Sequence, residues 1–315
     1  MYKSREEMLE NAKPTRELIK RFMRVYKEKK PTTITTYKGA LDRYCKYLEE
    51  HNIDKPEDED LSEYFAYLRE NNRAGATIQQ SKVVLTRFYK WAEHLDLYPD
   101  ITFGLKFEKG SEGFKRQALS AKDAKRLIEL AEKRADKSIE NFRDYVILKL
   151  ILTTGLRTIE VSRADVCDLK IVNDIKYLMV QGKCRVEKDE KVKVPDSIYE
   201  LILEYLEKRN NDAAPLFLNH GRNVKDLRIK PSTISVQMKH LLRAIGLDDK
   251  AYTAHSLRHT CATLALLNGA KFEEVQMVLR HKSITTTTIY AHNIKRDTNN
   301  VELLVEEVLK KDENK

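Results

Sequence analysis

Arg157 is the first residue of this chain whose type and setting indicate chemistry. It lies two residues after Gly155, which follows an apolar stretch, and three residues before Glu160. An arginine keeps its charge and presents a fork of donors, so next to buried chain it requires an anionic partner. That partner is either Glu160, about one helical turn away, or an external anion such as a phosphate. Taken alone, the segment favours the internal pair with Glu160.

A second polar cluster begins at His255 and has the sequence His-Ser-Leu-Arg-His-Thr. Positions three apart share a helix face, so His255 and Arg258 can converge on one ligand. The arginine would bind two oxygens of a phosphate while the histidine moves a proton. A histidine and an arginine on a solvated surface are the common alternative. His259 is turned by about 100° from Arg258 around the helix, which indicates packing behind such a site.

A third segment runs from His281 to His292 and contains Tyr290. Positions nine apart lie on opposite faces of a continuous helix, so His281 and Tyr290 can meet only where the chain breaks between them. Ser283 is a plausible helix cap there, and four consecutive threonines weaken helix persistence. The chain has 15 tyrosines, most of which must be structural, so Tyr290 by itself carries little weight.

The three segments together supply two arginines, two histidines and a tyrosine, without an acidic cluster that would hold a metal. This combination fits a tyrosine nucleophile that attacks phosphorus while cations stabilise the transition state. We therefore expect phosphoryl-transfer chemistry that needs neither a metal ion nor a cofactor.

The order and spacing of these segments resemble those of the tyrosine recombinases, also called the λ-integrase family. The matching motifs are Thr154-Gly155-Leu156-Arg157-x-x-Glu160, His255-x-Leu257-Arg258-His259-Thr260 and Leu279-x-His281-x-Ser283-x-x-Thr286-Thr287-x-x-Tyr290. The resemblance implies that Arg157 and Arg258 clamp the scissile phosphate and that His281 hydrogen-bonds a phosphate oxygen. It further implies that Tyr290 forms a 3′-phosphotyrosine bond, releasing a 5′-hydroxyl, while His255 assists the proton transfer from the tyrosine.

The family's lysine lies in a β-turn after a Gly-Lys pair, which matches Gly182-Lys183. The resemblance therefore implies that Lys183 protonates the leaving 5′-oxygen. Many members have a second glycine where this chain has Cys184, and Lys188 is close by, so Lys188 stays an alternative proton donor.

Other positions are implied to support these groups. Glu160 and Asp165 are expected to hold Arg157 and its neighbours in place, and His259 is expected to pack or to support the residues that contact the phosphate. Many members have a glycine directly before the third-motif histidine, whereas this chain has Arg280. Its side chain is expected either to touch DNA or to point to solvent.

The charge of the chain suits a polyanionic partner. Lys and Arg number 58 against 49 Asp and Glu, giving a net charge of +9 that favours binding to nucleic acid. Lys82, Arg87 and Lys90 are candidate contacts to DNA phosphates, and a solvated helix face is an equally good interpretation.

Composition also indicates where in the cell the protein is located. The four cysteines are scattered without a C-x-x-C pair, which argues against a zinc site or a disulfide framework. The N-terminus is too charged for a signal peptide, and no apolar run approaches the roughly 18 residues of a membrane span. We expect a cytoplasmic, nucleoid-associated protein that does not bind membranes.

Hydrophobic periodicity divides the chain into two parts. A helical core-binding (SAM-like) DNA-binding domain is expected over 1–104. Its four helices are expected near 14–29, from a cap at Thr32 or Thr33 to residue 48, over 61–70 and over 77–95. A linker is expected over 105–117, and a catalytic domain over 118–315.

The second part is expected to carry the chemistry. Ser120 is a good N-cap, 142–156 forms a buried helix, and 175–180 and 191–194 form two antiparallel strands. Further helices are predicted at 197–209, 232–245, 256–267 and 272–279. The fold class is thus mainly α with a small antiparallel β-sheet: a helical domain plus an α+β catalytic domain.

An apolar stripe near the C-terminus predicts one more helix, at about 299–310. The resemblance implies that it docks into a neighbouring subunit, giving a homotetramer on two DNA sites that recombines through a Holliday junction. Docking on its own domain is the alternative.

The expected activity is site-specific recombination, either Xer-like resolution or the integration and excision of a mobile element. The alternatives are DNA relaxation of the type IB topoisomerase kind and a DNA-binding protein without catalysis.

Overall fold

The computed structural model describes residues 4–29, 31–105, 117–181, 187–221 and 227–280. Packing of the backbone divides the chain into two compact units, Met1–Gly113 and Phe114–Lys315. Several predictions lie outside the described residues: Lys183, His281, Tyr290, most of the 105–117 linker and the helix at 299–310. Within the described ranges, no helix combines the length and apolar character that crossing a membrane demands.

The first unit is entirely helical in its described part. Its elements are α1 (Arg5–Glu10), α2 (Thr15–Val25), a 3₁₀ turn (Tyr26–Glu28), α3 (Pro31–Glu50), α4 (Asp58–Glu70) and α5 (Gly75–His94). The four predicted helices are present, and the short α1 was not predicted. The cap at Thr32 or Thr33 is wrong, because α3 begins at Pro31, whose fixed φ suits the first turn of a helix.

Aromatic rings fill the core of this unit. Phe22, Tyr44, Tyr64, Phe88 and Tyr89 are all inaccessible to solvent. The hydroxyl oxygens of Tyr44 and Tyr89 lie 2.9 Å apart, so two buried polar groups satisfy each other inside the apolar core.

The second unit is built around one buried helix. Its helices are α6 (Ala121–Ala135), α7 (Ile139–Thr154), α8 (Thr158–Arg163), α9 (Asp196–Arg209), α10 (Pro231–Ala244), α11 (Ala254–Leu267) and α12 (Phe272–Leu279). The predicted cap is confirmed, since the Ser120 hydroxyl accepts from the backbone N–H of Asp123 at 3.0 Å. Helix α7 packs against α6, α9, α10 and α11, which is why its sequence is apolar around nearly the whole circumference.

A three-stranded antiparallel sheet with the order β1-β2-β3 completes the unit. The strands are β1 (Leu169–Val172), β2 (Ile175–Val180) and β3 (Glu190–Lys193). The mainly α fold class with a small antiparallel sheet is therefore confirmed. Strand β1 was not predicted, although Asn173 and Asp174, both with positive φ, form the two-residue connection typical of a hairpin.

Gly155 lets two helices approach closely. It ends α7 with a φ of 63°, in the left-handed region that side chains disfavour. A Cβ atom built at this position would lie 2.6 Å from Cδ2 of Leu279 and 3.5 Å from Sγ of Cys261. The end of α12 and the middle of α11 therefore both pack on a backbone without a side chain.

Replacement of Gly155 by alanine tests this close approach. We expect Gly155→Ala to lower the free energy of unfolding by about 2–4 kcal/mol. The cost of a left-handed backbone at a residue with a Cβ atom and the cost of overpacking against Leu279 both contribute. Gly246→Ala is the matched control: Gly246 also has a positive φ, 89°, but its added Cβ meets nothing within 4 Å. Urea unfolding should show the smaller loss there, about 1–2 kcal/mol; equal losses would contradict the packing argument.

Candidate active site

A cleft of about 690 Å³ opens among the start of α8, one face of α10 and the start of α11. Arg157, His255 and Arg258 all line it, although Arg157 is about a hundred residues away in sequence. The motif around Arg157 and the motif around His255 thus meet in one site, in a setting rich in cationic side chains.

Arg157 is held by Glu160 while it faces the cleft. It is the residue before α8, and its backbone N–H donates to Oε2 of Glu160 at 2.8 Å. Its Nη1 donates to Oε1 of the same carboxylate at 2.7 Å. The Arg157 side chain is 23% exposed and that of Glu160 only 1%. The internal pair and access to an external anion are therefore compatible, because a guanidinium has five N–H donors.

Glu160 stays ionised in spite of its burial. Burial raises the pKa of this carboxyl, but the charge of Arg280 and the hydrogen bonds from Arg157 outweigh it, so that the pKa is lowered. A carboxylate that remains charged in a closed environment needs this kind of multiple compensation.

Arg258 is almost completely buried, at 1% exposure. Its Nη1 donates to the backbone carbonyl of Gly155 and its Nη2 to the carbonyl of Leu279. These carbonyls lie at the C-terminal ends of α7 and α12, where the helix dipole carries partial negative charge. The two helix ends therefore help to stabilise a full positive charge at the floor of the cleft.

His255 and His259 lie against each other on α11. Their ring centroids are 4.6 Å apart and the ring planes are nearly perpendicular, at 88°. His255 is exposed in the cleft, whereas His259 is buried at 3% exposure. His259 therefore packs within the unit, while His255 faces the cleft.

Lys239 is a residue of the cleft wall that sequence reasoning missed. Its ammonium donates to the backbone carbonyls of Asp248, Asp249 and Tyr252 at 2.9, 2.8 and 3.1 Å. It thereby fixes the loop that leads into Thr253, the N-cap of α11. No sequence pattern indicates such a role, because the partners are backbone atoms of a loop.

Lys188 is bound by two carboxylates. Its ammonium donates to Asp165 at 2.6 Å and to Asp168, and Arg228 also contacts Asp165. Burial lowers the pKa of Lys188, but the hydrogen bonds to the two aspartates outweigh it, so that the pKa is raised. Lys188 is not among the residues that line the cleft.

Asp165 is bound to two cations other than Arg157. Its carboxylate binds Lys188 and Arg228, so it connects the segment before β3 to the segment before α10. Glu160 contacts Arg157 directly. A role of Asp165 in holding the neighbours of Arg157 stays a prediction.

Loss of the Asp165 carboxylate should weaken the fold in a pH-dependent manner. Burial raises the pKa of Asp165, but Lys188 and Arg228 outweigh it and lower the pKa. A lowered folded-state pKa means that the stabilisation is complete above the unfolded-state value and is lost as pH falls through the folded-state one. Asp165→Asn should cost about 1–2 kcal/mol at neutral pH, and the difference from wild type should close below about pH 4.

Urea unfolding across this pH range measures the effect, with Asp196→Asn as control. Asp196 pairs with Lys176 at 3.1 Å but is 77% exposed, so its loss should change little at any pH. An Asp165→Asn deficit that is the same at acidic and neutral pH would contradict the ion-pair account.

Arg280 does neither of the things expected of it. Its side chain is only 9% exposed and its Nη2 donates to Oε2 of Glu160 at 2.7 Å. Its Nε lies 3.5 Å from Oε2 of Glu190. Contact with DNA and projection into solvent are thus both wrong, because the side chain folds back onto two carboxylates of its own unit.

Lys82, Arg87 and Lys90 have three different environments on α5. Lys82 is buried at 3% exposure, with its ammonium 5.4 Å from the centroid of the Phe65 ring. Its placement on an accessible phosphate-binding face is therefore wrong. Arg87 packs over the Tyr37 ring and hydrogen-bonds the Tyr37 hydroxyl, and Lys90 is exposed. Contact with DNA stays a prediction for these two.

In the part of the chain that the structure describes, no group of three or more His, Cys, Asp or Glu side chains is arranged to hold a metal ion. The cleft instead contains cationic and hydrogen-bonding groups that suit a phosphate.

Comparisons with known proteins agree on one family. The model of the phage integrase family matches residues 117–296, and that of the phage integrase N-terminal SAM-like domain matches 16–98. Tyrosine recombinase XerC of Herpetosiphon aurantiacus is 28% identical over 270 residues, covering 82% of this chain and 84% of that protein. Tyrosine recombinase XerD of Staphylococcus haemolyticus is 25% identical over 280 residues, covering 86% and 91%.

The fold is also that of a solved recombinase. The crystal structure of the XerH site-specific recombinase bound to its palindromic difH substrate, a post-cleavage complex, superposes with a TM-score of 0.70. That comparison covers 90% of this chain and 84% of the other at 19% identity, and at this identity the likeness concerns the fold.

Proposed function

The chain belongs to the phage integrase family of tyrosine recombinases, and on that basis we propose that it cleaves and rejoins double-stranded DNA at specific sites. The observation that carries the proposal is the convergence of Arg157, His255 and Arg258 in one cleft. The relatives named XerC and XerD, and the XerH structure with its DNA substrate, support the same substrate class.

In the proposed reaction the phenolic oxygen of Tyr290 attacks the scissile phosphorus. The bond between phosphorus and the 5′-oxygen breaks, leaving a 3′-phosphotyrosine and a 5′-hydroxyl. His255 assists removal of the tyrosine proton, and Lys183 gives a proton to the leaving oxygen. One phosphodiester replaces another, so the reverse step rejoins a strand without nucleotide hydrolysis.

The cations serve the transition state, where negative charge on the non-bridging oxygens increases. Arg258 is preorganised for this role because its guanidinium is already desolvated and bound at two helix ends. Arg157 lines the same cleft, and His281 would donate to one phosphate oxygen. Fixed charges of this kind stabilise a transition state without reorganisation at the moment of reaction.

Lys183 is favoured over Lys188 as the proton donor. Two aspartates occupy the ammonium of Lys188 and raise its pKa, and a raised pKa makes an ammonium a poorer acid. Lys183 lies in the segment between β2 and β3, outside the described residues.

We propose further that the chain works as a homotetramer through a Holliday junction, with the 299–310 segment docked into a neighbouring subunit. The apolar stripe of that segment supports this arrangement. Xer-like resolution and integration of a mobile element share every step proposed here.

The nucleophile can be tested with a nicked suicide duplex that carries the cognate site, identified beforehand by footprinting. Wild-type protein should give a covalent protein–DNA band on a denaturing gel, and Tyr290→Phe should give none because it lacks the attacking oxygen. A band that persists in Tyr290→Phe would assign the nucleophile to another residue. Specific binding without a band from the wild type would favour a DNA-binding protein without catalysis.

Relaxation of supercoiled plasmid without the cognate site separates recombination from topoisomerase activity. A recombinase should leave that plasmid supercoiled and join strands between two cognate duplexes. Efficient relaxation without strand exchange would establish the topoisomerase alternative.

The proton donor can be tested by substitution in both lysines. Lys183→Ala should slow cleavage by about 10²- to 10⁴-fold, which is the rate enhancement that a general acid usually contributes. Sulfur in place of the leaving 5′-oxygen should restore most of that rate, because a thiolate leaves without a proton. Lys188→Ala should cleave at close to the wild-type rate with either substrate. Rescue of Lys188→Ala, but not of Lys183→Ala, by the sulfur substrate would reverse the assignment.

A further inference from the structure

We propose that Arg280 is a positioning residue that orients Arg157 through the shared carboxylate of Glu160. The inference rests on the proposed function, since it concerns how the phosphate-binding arginine is prepared. It is carried by the contacts of three side chains and by the backbone conformation of Arg280.

Both oxygens of Glu160 are occupied. Oε1 accepts from Nη1 of Arg157 at 2.7 Å. Oε2 accepts from the backbone N–H of Arg157 at 2.8 Å and from Nη2 of Arg280 at 2.7 Å. Because Arg280 contributes a second donor to Oε2, the carboxylate plane is fixed from two directions. The position of Oε1, and hence of the Arg157 guanidinium, follows from that plane.

The charge balance of this group depends on Arg280. Arg157 and Glu160 alone would form a neutral pair, in which the carboxylate attracts the full charge of Arg157. With Arg280 bound to the same carboxylate, the charge of Glu160 is shared between two guanidinium groups. Glu190, whose Oε2 lies 3.5 Å from Nε of Arg280, makes the set of four side chains neutral overall. Because Glu160 does not serve Arg157 alone, Arg157 retains attraction for an external anion.

The backbone at Arg280 is in a conformation that side chains disfavour. Arg280 ends α12 with φ 53° and ψ 47°, the left-handed region in which glycine is the residue without strain. Strain of this kind persists where surrounding contacts over-determine it. Those contacts are Glu160, Glu190 and the carbonyl of Val278, which accepts from Nη1 at 2.7 Å.

Arg280 also connects three segments that carry proposed catalytic groups. Glu160 lies on α8, directly after Arg157, and Glu190 begins β3, the strand that follows the segment with Lys183. Arg280 itself immediately precedes His281 in sequence. One guanidinium thus ties the ends of α12, α8 and β3 together.

Two substitutions separate positioning from stability. Arg280→Gly removes the contacts and the backbone strain together. Loss of the ion pair with Glu160 lowers the melting temperature and relief of the strain raises it, so cleavage is compared at a temperature where both proteins are folded. Single-turnover cleavage of the suicide duplex at saturating DNA should nevertheless slow by about tenfold to hundredfold, the expected effect of a misplaced binding group. Arg280→Lys keeps a charge near Glu160 and should recover part of the rate.

Asn210→Gly is the matched control for backbone strain. Asn210 ends α9 in the same left-handed conformation, with a φ of 46°, and it does not line the cleft. This variant should gain stability from the relief of strain alone and should cleave at the wild-type rate.

The pH profile of cleavage gives a readout that a purely structural role would not change. Arg280 lowers the pKa of Glu160, so its removal should raise that pKa and allow Glu160 to protonate at higher pH. The acid limb of the profile should therefore shift to higher pH in Arg280→Gly relative to wild type and to Asn210→Gly.

Two results would overturn the inference: wild-type cleavage by Arg280→Gly, or a loss of cleavage no larger than the fraction of the variant that is unfolded at the assay temperature. A wild-type protein that forms no covalent complex would instead overturn the proposed function. NMR of the Arg157 guanidinium in the protein without DNA then decides the inference by itself. Faster rotation of that guanidinium in Arg280→Gly supports the positioning role, and an unchanged signal overturns it.

Discussion

The guanidinium of Arg258 is the group on which the rest of the second unit depends. It is desolvated at 1% exposure and bridges the carbonyls of Gly155 and Leu279. A buried charge without partners would cost several kcal/mol, so the ends of α7 and α12 must come together around it. The absence of a side chain at Gly155 makes this approach possible. The floor of the cleft and the packing of three helices are thus set by one charge.

Two ion-pair clusters, each of two cations and two carboxylates, differ in where they lie. In the first, Glu160 is shared by Arg157 and Arg280, and Arg157 lines the cleft. In the second, Lys188 is bound to Asp165 and does not line the cleft. The two clusters use the same side-chain chemistry, yet only the first places a cation where an external anion can bind. Counting cations in the sequence does not distinguish them.

Much of the architecture could be predicted from the sequence because it rests on local signals. These signals depend only on neighbours in the chain: helical periodicity, the cap at Ser120 and the apolar run that forms β2. Strand β1 was missed because it is short and exposed, with Ile171 at 58%, so it lacks the apolar alternation of a half-buried strand. Its Asn173-Asp174 hairpin signal was present but was not used.

The side-chain environments were harder to predict, for a physical reason. Lys82 lies on a helix face that the sequence suggests is solvated, and only tertiary packing brings it beside Phe65. Arg280 and Lys239 bind partners more than a hundred residues away or on a loop backbone. The order and spacing of the motifs identified Arg157, His255 and Arg258, and these three residues line the cleft. The network that holds them joins side chains that are far apart in the sequence.

The most direct test of the account is to map the protein–DNA bond itself. After suicide cleavage, nuclease and trypsin digestion should leave a nucleotide on the peptide 283–295, in which Tyr290 is the only tyrosine. Tandem mass spectrometry should place the added phosphate on the Tyr290 oxygen, joined to the 3′ end of the nucleotide. A nucleotide on a different residue, or a bond through the 5′ end, would contradict the proposed chemistry.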